Sequence, residues 1–228
     1  MSQIPFDQYD RSSLRPYITI KDPISALTHF IGFIASIIAT PVLLSKAGLY
    51  RSDLTTMVAI SIYCLSSILL YGASSAYHSF LLPEKKTGIL KRIDHCSIFL
   101  LIAGTYTPIC LLSIRDNGGM ALLTAIWIAA IIGIFIKLFY VYCPKYVSSI
   151  IYISMGWMAL FKIAAIRTAL TETGFFWLLT GGLFFSIGAI IYALKIRISD
   201  SWSEHEIFHI FVLLGSLAHF IMVFRYVI

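Results

Sequence analysis

Residues 205–226 read HEIFHIFVLLGSLAHFIMVFRY, and this stretch predicts both how the chain folds and where its chemistry lies. From Ile210 to Ile228 the chain is apolar and contains no Asp or Glu, and its length is that of a helix crossing a lipid bilayer. At its start, His205 and His209 are four residues apart. On a helix both imidazoles therefore face the same side and can reach one metal ion.

The composition of the whole chain is that of a membrane protein. Of its 228 residues 59% are hydrophobic and 12% are charged, whereas soluble domains contain about 25% charged residues. The net charge is +6, but no basic cluster interleaves with exposed aromatics, which argues against nucleic acid as a partner. The four scattered cysteines include no C-x-x-C pair, so neither a disulfide framework nor a thiolate zinc site is expected.

Seven stretches are long and apolar enough to span a bilayer. They are residues 24–44, 54–77, 93–114, 120–140, 148–168, 175–194 and 205–226. The sequence therefore predicts an all-α integral membrane protein, with a seven-helix domain over residues 24–228 and an N-terminal segment over residues 1–23. Eleven of the 17 Lys and Arg residues fall on the side of the N-terminus. By the positive-inside rule the N-terminus is cytoplasmic and the C-terminus lies outside.

Five of the six histidines fall at one depth in this topology, near the predicted cytoplasmic ends of the spans. His78 closes the second span at the level where His205 and His209 open the seventh. Three neutral imidazoles and one open position form the donor set of a catalytic zinc site. We therefore predict zinc at His78, His205 and His209. The alternative for the pair on the last span is an interfacial role, with hydrogen bonds to loop carbonyls.

Two further polar residues lie at the same depth. Asp94 opens the third span, where it can orient or deprotonate water at the metal, or instead form a salt bridge with Lys91 and Arg92. Ser74 is one turn before His78, so its hydroxyl can bind that water or an oxyanion, or instead bond back to the Leu70 carbonyl. We predict Asp94 and Ser74 as the catalytic residues.

The remaining candidates are weaker. Glu206 occupies the general-base position of an H-E-x-x-H protease, but the later sequence contains no acidic third ligand, which argues against that mechanism. His29 and His219 have no partner at ligand spacing and are expected to be satisfied residues of the bundle. His95 is adjacent to Asp94 but faces another direction. It is therefore expected to be structural or, at most, to contact a metal ligand without binding the metal itself.

These residues belong to longer motifs, and with them the chain resembles the hemolysin III family from Asp22 onward. That family is the bacterial branch of the progestin and adipoQ receptor superfamily, which includes the adiponectin receptors. The motifs that carry the resemblance are Ser74-x-x-x-His78, the run DHCSIFLLIAGTYTP from Asp94 to Pro108, and His205-x-x-x-His209 followed by His219-Phe220.

The resemblance implies a seven-helix protein of the bacterial plasma membrane with a cytoplasmic N-terminus. It also implies zinc on the three histidines named above, with Asp94 beside the water at the metal and Ser74 one turn before the first ligand. In the first helix, Asp22 and Ser25 stand where the family has Glu and Asn. We expect this difference to leave the three ligands untouched.

Three functions are consistent with these residues and with the resemblance. The first is a zinc-dependent hydrolase of a membrane lipid amide such as ceramide, the substrate class that the resemblance implies. The second is a membrane sensor or receptor without enzymatic activity, in which zinc is structural and the protein serves membrane homeostasis. The third is the cytolytic hemolysin or channel suggested by the family name, although no amphipathic insertion segment or polar stripe supports it.

Overall fold

The computed structural model describes residues 20–199 and 202–228, and within them the chain forms seven long helices and no strand. The helices are α1 (Pro23–Tyr50), α2 (Leu54–Ser79), α3 (Glu84–Ser113), α4 (Gly119–Phe139), α5 (Lys145–Ala169), α6 (Glu172–Leu194) and α7 (Glu204–Val227). Each is long and apolar enough to cross a bilayer, so the predicted seven-helix membrane fold is confirmed. Most of the predicted N-terminal segment, residues 1–19, lies outside the described residues.

The third helix differs most from its predicted span. It begins at Glu84 rather than Ile93, because the charged segment between them continues the helix beyond the apolar stretch. At its other end, Pro108 has no N–H to donate to the preceding turn, and the helix widens into a π-helical turn over Ile109–Ser113. The charged start of α3 leads directly into the polar residues around Asp94.

Short connections join consecutive helices, as the sequence predicts. Between α3 and α4, Gly118 has a φ of 86°, in the left-handed region that glycine adopts without steric cost. Between α4 and α5, Pro144 stands immediately before the first residue of the helix, where its missing N–H removes no helical hydrogen bond. Such short turns make sequential helices antiparallel neighbours in one bundle.

The start of α2 is held by Asp53, at the opposite end of that helix from His78. The Asp53 carboxylate accepts hydrogen bonds from the backbone N–H of Thr56 at 3.0 Å and from its hydroxyl at 2.7 Å. These hydrogen bonds lower the pKa of the Asp53 carboxyl below its usual value. The cap satisfies a backbone donor that the helix itself leaves unpaired.

The central helix of the bundle is α3. Within its most apolar window 67% of the residues are buried, against 17% to 50% in the other six helices. Small residues permit its close approach to α2 and α4: Gly104 packs against Ser66, and Gly133 packs against the ring of Phe99. Close packing matters here because lipid provides no hydrophobic drive for helix association. Asp94 and the residues that follow it on α3 are thereby held inside the bundle.

Replacing Gly133 with alanine should destabilise the bundle. A Cβ at this position would overlap Cε1 of Phe99, and the Phe99 side chain is fully buried. We expect Gly133→Ala to cost roughly 1–3 kcal/mol, seen as a lower midpoint of thermal unfolding in detergent. Gly182→Ala is the matched control, because nothing lies within 4 Å of its added Cβ. Equal midpoints for the two variants would contradict this explanation of α3–α4 packing.

Candidate metal centre

Three histidines converge where the end of α2 meets the start of α7. One ring nitrogen from each of His78, His205 and His209 can be chosen so that all three atoms lie within 4.8 Å of one another. The closest pair is His78 Nε2 and His205 Nε2, at 3.0 Å. His78 and His209 are buried and His205 is half-buried, so the cluster is largely shielded from solvent. The structure thus brings the three predicted ligands together.

The spacing of these nitrogens fits a small cation. Three atoms within 4.8 Å of one another share a point no more than about 2.8 Å from each, and a zinc–nitrogen bond is about 2.0–2.1 Å. Inward movement of the rings by less than about 1 Å would therefore complete the coordination. A set of three imidazoles suits zinc better than the hard cations magnesium and calcium, which prefer oxygen.

The first helix orients two of the three rings. Asp22, immediately before α1, has its Oδ2 at 2.8 Å from Nδ1 of His78, which donates the hydrogen bond. Nδ1 of His209 lies 3.3 Å from the carbonyl oxygen of Ser25 and donates to it. With both Nδ1 atoms engaged in this way, both Nε2 atoms are left free for a metal. Hydrogen bonds of this kind fix the tautomer and the direction of metal-ligating histidines.

We expected that Asp22, which stands where the family has Glu, would leave the three ligands untouched, and this expectation is wrong. Asp22 contacts His78 directly, across 56 positions of sequence. Partial burial raises the pKa of the Asp22 carboxyl, but the hydrogen bond to His78 and the nearby Lys21 ammonium lower it, and the net pKa is below its usual value. The carboxylate is consequently ionised at neutral pH and strengthens His78 as an electron donor.

Ser25 and Thr28 also contact the site, although neither is among the predicted site residues. The Thr28 hydroxyl lies 3.5 Å from His209 Nδ1, on the same side of the ring as the Ser25 carbonyl. The sequence feature that could have identified them is the spacing of Asp22, Ser25 and Thr28. They are three residues apart each time, which places them along one face at the start of α1. That spacing identifies a polar face but not the histidines that it meets.

Glu206 belongs to the start of α7 and not to the metal. Its Oε2 accepts hydrogen bonds from the backbone N–H of Ser203 at 3.0 Å and from the Ser203 hydroxyl. The Ser203 side chain accepts in return from the backbone N–H of Glu206, which completes a capping box. Glu206 Oε1 accepts from the Ser25 hydroxyl at 3.2 Å. Both carboxylate oxygens are thus engaged, which agrees with the prediction that Glu206 is not a protease-type general base.

Asp94 and Ser74 meet inside the bundle. Both are buried, both line one cavity, and their side chains are close enough to interact. The alternative salt bridge at the rim is not formed: Lys91 Nζ lies 4.2 Å above the Tyr142 ring, and Arg92 Nε donates to the Leu138 carbonyl at 2.9 Å. Asp94 is therefore available to groups inside the bundle.

A cavity connects these residues to the interior. Its volume is about 130 Å³, and its lining includes Ser74, Asp94, His205 and His209. From there it extends along α7 to His219, ten residues and roughly 15 Å beyond His209. Most of the remaining lining is apolar, with contributions from α3, α5 and α6. The cavity therefore has a polar end at the histidines and Asp94 and a mostly apolar remainder.

The other histidines also line this cavity. The imidazole of His29 stacks on that of His209 at 3.6 Å between centroids, and neither of its nitrogens has a hydrogen-bond partner among the described residues. The prediction that His29 is a satisfied bundle residue is therefore wrong. His219 is satisfied at Nε2, which donates to the Leu178 carbonyl at 3.1 Å, but not at Nδ1. His95 Nδ1 is likewise without a partner in the described chain.

Comparison with known proteins agrees with this architecture. The family described as "Haemolysin-III related" matches residues 17–220. "Hemolysin-3" of Bacillus cereus is 39% identical over 214 residues, which cover 92% of this chain and 93% of the relative. "Hemolysin-3 homolog" of Bacillus subtilis (strain 168) is 39% identical over 210 residues, covering 91% and 95%.

A more distant likeness extends to receptors. "Adiponectin receptor protein" of Drosophila melanogaster is 24% identical over 214 residues, which cover 85% of this chain and 48% of the receptor. The extent of the bacterial matches and the seven apolar helices lead to one conclusion. The chain belongs to the hemolysin III family of multi-pass bacterial membrane proteins, with more distant relatives among the adiponectin receptors.

Proposed function

We propose that this protein is a zinc-dependent membrane hydrolase that cleaves a lipid amide of the ceramide type. The observation that supports the proposal is one cavity whose lining brings His205 and His209 together with the buried pair Asp94 and Ser74. The chemistry that a zinc ion supplies at such a site is Lewis-acid polarisation of a carbonyl group and acidification of water. Asp22, His78, His205 and His209 would hold and orient that ion.

The chain's own acid–base groups are suited to the proton transfers. Amide hydrolysis joins the oxygen of water to the carbonyl carbon, breaks the carbon–nitrogen bond and moves one proton to the leaving amine. Asp94 Oδ accepts the proton from the attacking water and returns it to the amine nitrogen. The Ser74 hydroxyl donates a hydrogen bond to the carbonyl oxygen as negative charge develops there. Both side chains are buried, so bulk water competes little for these contacts.

The apolar part of the cavity would hold the acyl chain. Leu101, Ile153, Phe185 and Val212 come from four different helices and all line it. An acyl chain lying against them excludes water and places its carbonyl group at the polar end. Orientation of this kind lowers the entropic part of the barrier to reaction.

A membrane sensor or receptor without enzymatic activity, in which the metal is structural, is the second candidate. It is favoured by the contacts of α1, since Asp22 and Ser25 connect that helix to ligands on α2 and α7. A metal in this position would clamp three helices, and its loss would loosen all of them. In that case zinc removal lowers the unfolding midpoint while no lipid is cleaved under any condition.

The metal ligands can be tested by elemental analysis. Purified protein should contain about one zinc per chain, and His205→Ala should reduce this below about 0.1 because two imidazoles bind zinc too weakly to survive purification. His219→Ala is the control, since that ring lies about 15 Å away along α7 and should keep the wild-type content. A wild-type zinc content in His205→Ala would contradict the assignment of the ligands.

The role of Asp22 predicts an effect on metal affinity. Asp22→Ala removes the acceptor that holds His78 Nδ1 at 2.8 Å, and we expect zinc to bind about 10- to 100-fold more weakly in chelator competition. Asp53→Ala is the control, because it removes an equal charge from the other end of α2. Unchanged affinity in Asp22→Ala would mean that His78 is oriented by other contacts.

The catalytic roles predict a large loss of activity in two variants. With a ceramide in detergent, fatty-acid release by zinc-loaded protein should fall at least about 100-fold in Asp94→Asn, which removes the proton acceptor. Ser74→Ala should lower kcat by roughly 100-fold through loss of the hydrogen bond to the oxyanion. Ser75→Ala is the matched control, because the Ser75 hydroxyl faces the Ala26 carbonyl of α1 at 3.4 Å.

One outcome would separate the candidate functions, and another would test the proposed proton transfer. Absence of fatty-acid release from zinc-loaded wild-type protein, together with a lower unfolding midpoint after zinc removal, would favour the sensor. Full activity in Asp94→Asn would contradict the proposed proton transfer even if the protein proved to be a hydrolase.

A further inference from the structure

A second cluster of reactive side chains lies at the turn between α4 and α5. The Nζ of Lys137, in the last turn of α4, donates hydrogen bonds to Cys143 Sγ at 3.0 Å and to Ser148 Oγ at 2.5 Å. Cys143 Sγ and Ser148 Oγ lie 3.3 Å apart, so the three side chains form a closed triangle. This cluster contains none of the three histidines, although Ser148 also lines the cavity that adjoins them.

Lys137 carries a buried positive charge. Its side chain is fully buried, and an ammonium in such surroundings requires a compensating negative charge. Within residues 20–199 and 202–228, no carboxylate forms a salt bridge with it. Glu204, which begins α7 at this end of the bundle, pairs instead with Lys145 and Arg197.

Cys143 is the partner that can supply that negative charge. Of the two groups bound to Lys137 Nζ, only the thiol ionises near neutral pH. Burial raises the pKa of the Cys143 thiol, but the hydrogen bonds from Lys137 and Ser148 lower it, and the net pKa is below its usual value. Because Ser148 Oγ accepts from Lys137, its own hydrogen is free to be donated to the sulfur. Both neighbours therefore stabilise a thiolate.

The position of Cys143 makes it accessible. Cys64, Cys96 and Cys110 are buried within helices, whereas Cys143 is partly exposed in the turn that precedes Pro144. Tyr140 and Tyr142 in the same turn are exposed, as is typical of aromatic residues at a membrane–water interface. Cys143 is therefore the cysteine of this chain that a dissolved reagent can reach most readily.

We propose that Cys143 is a nucleophilic thiolate maintained by Lys137 and Ser148, and that it is a site of modification by hydroperoxides. In this reaction the sulfur attacks the terminal oxygen of the hydroperoxide, an S–O bond forms and the O–O bond breaks. The sulfur is oxidised by two electrons to a sulfenic acid, and the peroxide is reduced to an alkoxide. The alkoxide takes a proton from Lys137 Nζ and leaves as an alcohol.

The charge balance of the cluster favours a reaction with hydroperoxides. Before the reaction, thiolate and ammonium neutralise each other; afterwards, sulfenic acid and amine are both neutral. The buried site therefore carries no net charge at either stage, and Lys137 supplies the proton that the departing oxygen needs. None of the three histidines and neither of the proposed catalytic residues takes part in this reaction.

Alkylation rates test whether the thiolate exists. Full-length protein in detergent is treated with iodoacetamide at pH 7, and each cysteine is followed by peptide mass spectrometry, with the three buried cysteines as internal references. Lys137→Met should slow alkylation of Cys143 about tenfold or more by removing the charge that stabilises the thiolate. Lys145→Met is the control, because its Nζ binds Glu204 Oε1 at 2.6 Å, and it should change the rate less than about twofold.

The wild-type pH profile provides an independent test if Lys137→Met does not fold. The midpoint of the Cys143 alkylation rate should lie below about 8.5, the value of a free cysteine. Besides Lys137, Tyr152 of α5 and Tyr192 of α6 interact electrostatically with this sulfur, and their ionisation would raise the midpoint. A midpoint at or above about 8.5 would overturn the proposal.

Reaction with a hydroperoxide tests the modification itself. Wild-type protein is exposed to cumene hydroperoxide in the presence of dimedone, which traps sulfenic acids. The adduct should form at Cys143 at least about fivefold faster than at any other cysteine, and Lys137→Met should abolish this preference. Equal labelling of all four cysteines, or undiminished labelling of Cys143 in Lys137→Met, would overturn the assignment. The result should be the same with and without zinc.

Discussion

The arrangement of this protein depends on one set of contacts, the meeting of three imidazoles inside a largely apolar bundle. His78 ends α2 and His205 and His209 begin α7, so their convergence joins helices that are distant in sequence. Polar nitrogens at this depth require partners, because lipid and apolar side chains provide none. The hydrogen bonds to Asp22 and to the Ser25 carbonyl meet that requirement on one side of the rings and leave the other side for a cation.

The central position of α3 makes this cluster part of a larger site. Close contacts at Gly104 and Gly133 hold α3 against its neighbours, and Asp94 is consequently buried beside Ser74 rather than paired at the surface. The adjoining cavity extends along α7 between helices that need not pack tightly at that level. One arrangement thus combines a polar end with an adjoining apolar space.

Two buried polar clusters lie at the same end of the bundle and differ in kind. The histidine cluster consists of neutral nitrogens suited to a metal, whereas Lys137 and Cys143 can form an ion pair that neutralises itself. His29 belongs to neither, since it stacks on His209 without a hydrogen-bond partner in the described chain. Buried polar groups are costly in a membrane, so each of these positions merits a functional explanation.

Sequence alone determined the number of helices, the short turns and the pairing of His205 with His209, because hydrophobic run length and helical periodicity are local properties. It also placed His78 and Asp94 at the right depth, since span boundaries set depth. Only the tertiary structure decided that Asp22 binds His78, that Ser25 orients His209 and that Lys137 meets Cys143. These contacts depend on how each helix is rotated and shifted against its neighbours. Side-chain packing between distant segments sets that geometry, and no local pattern encodes it.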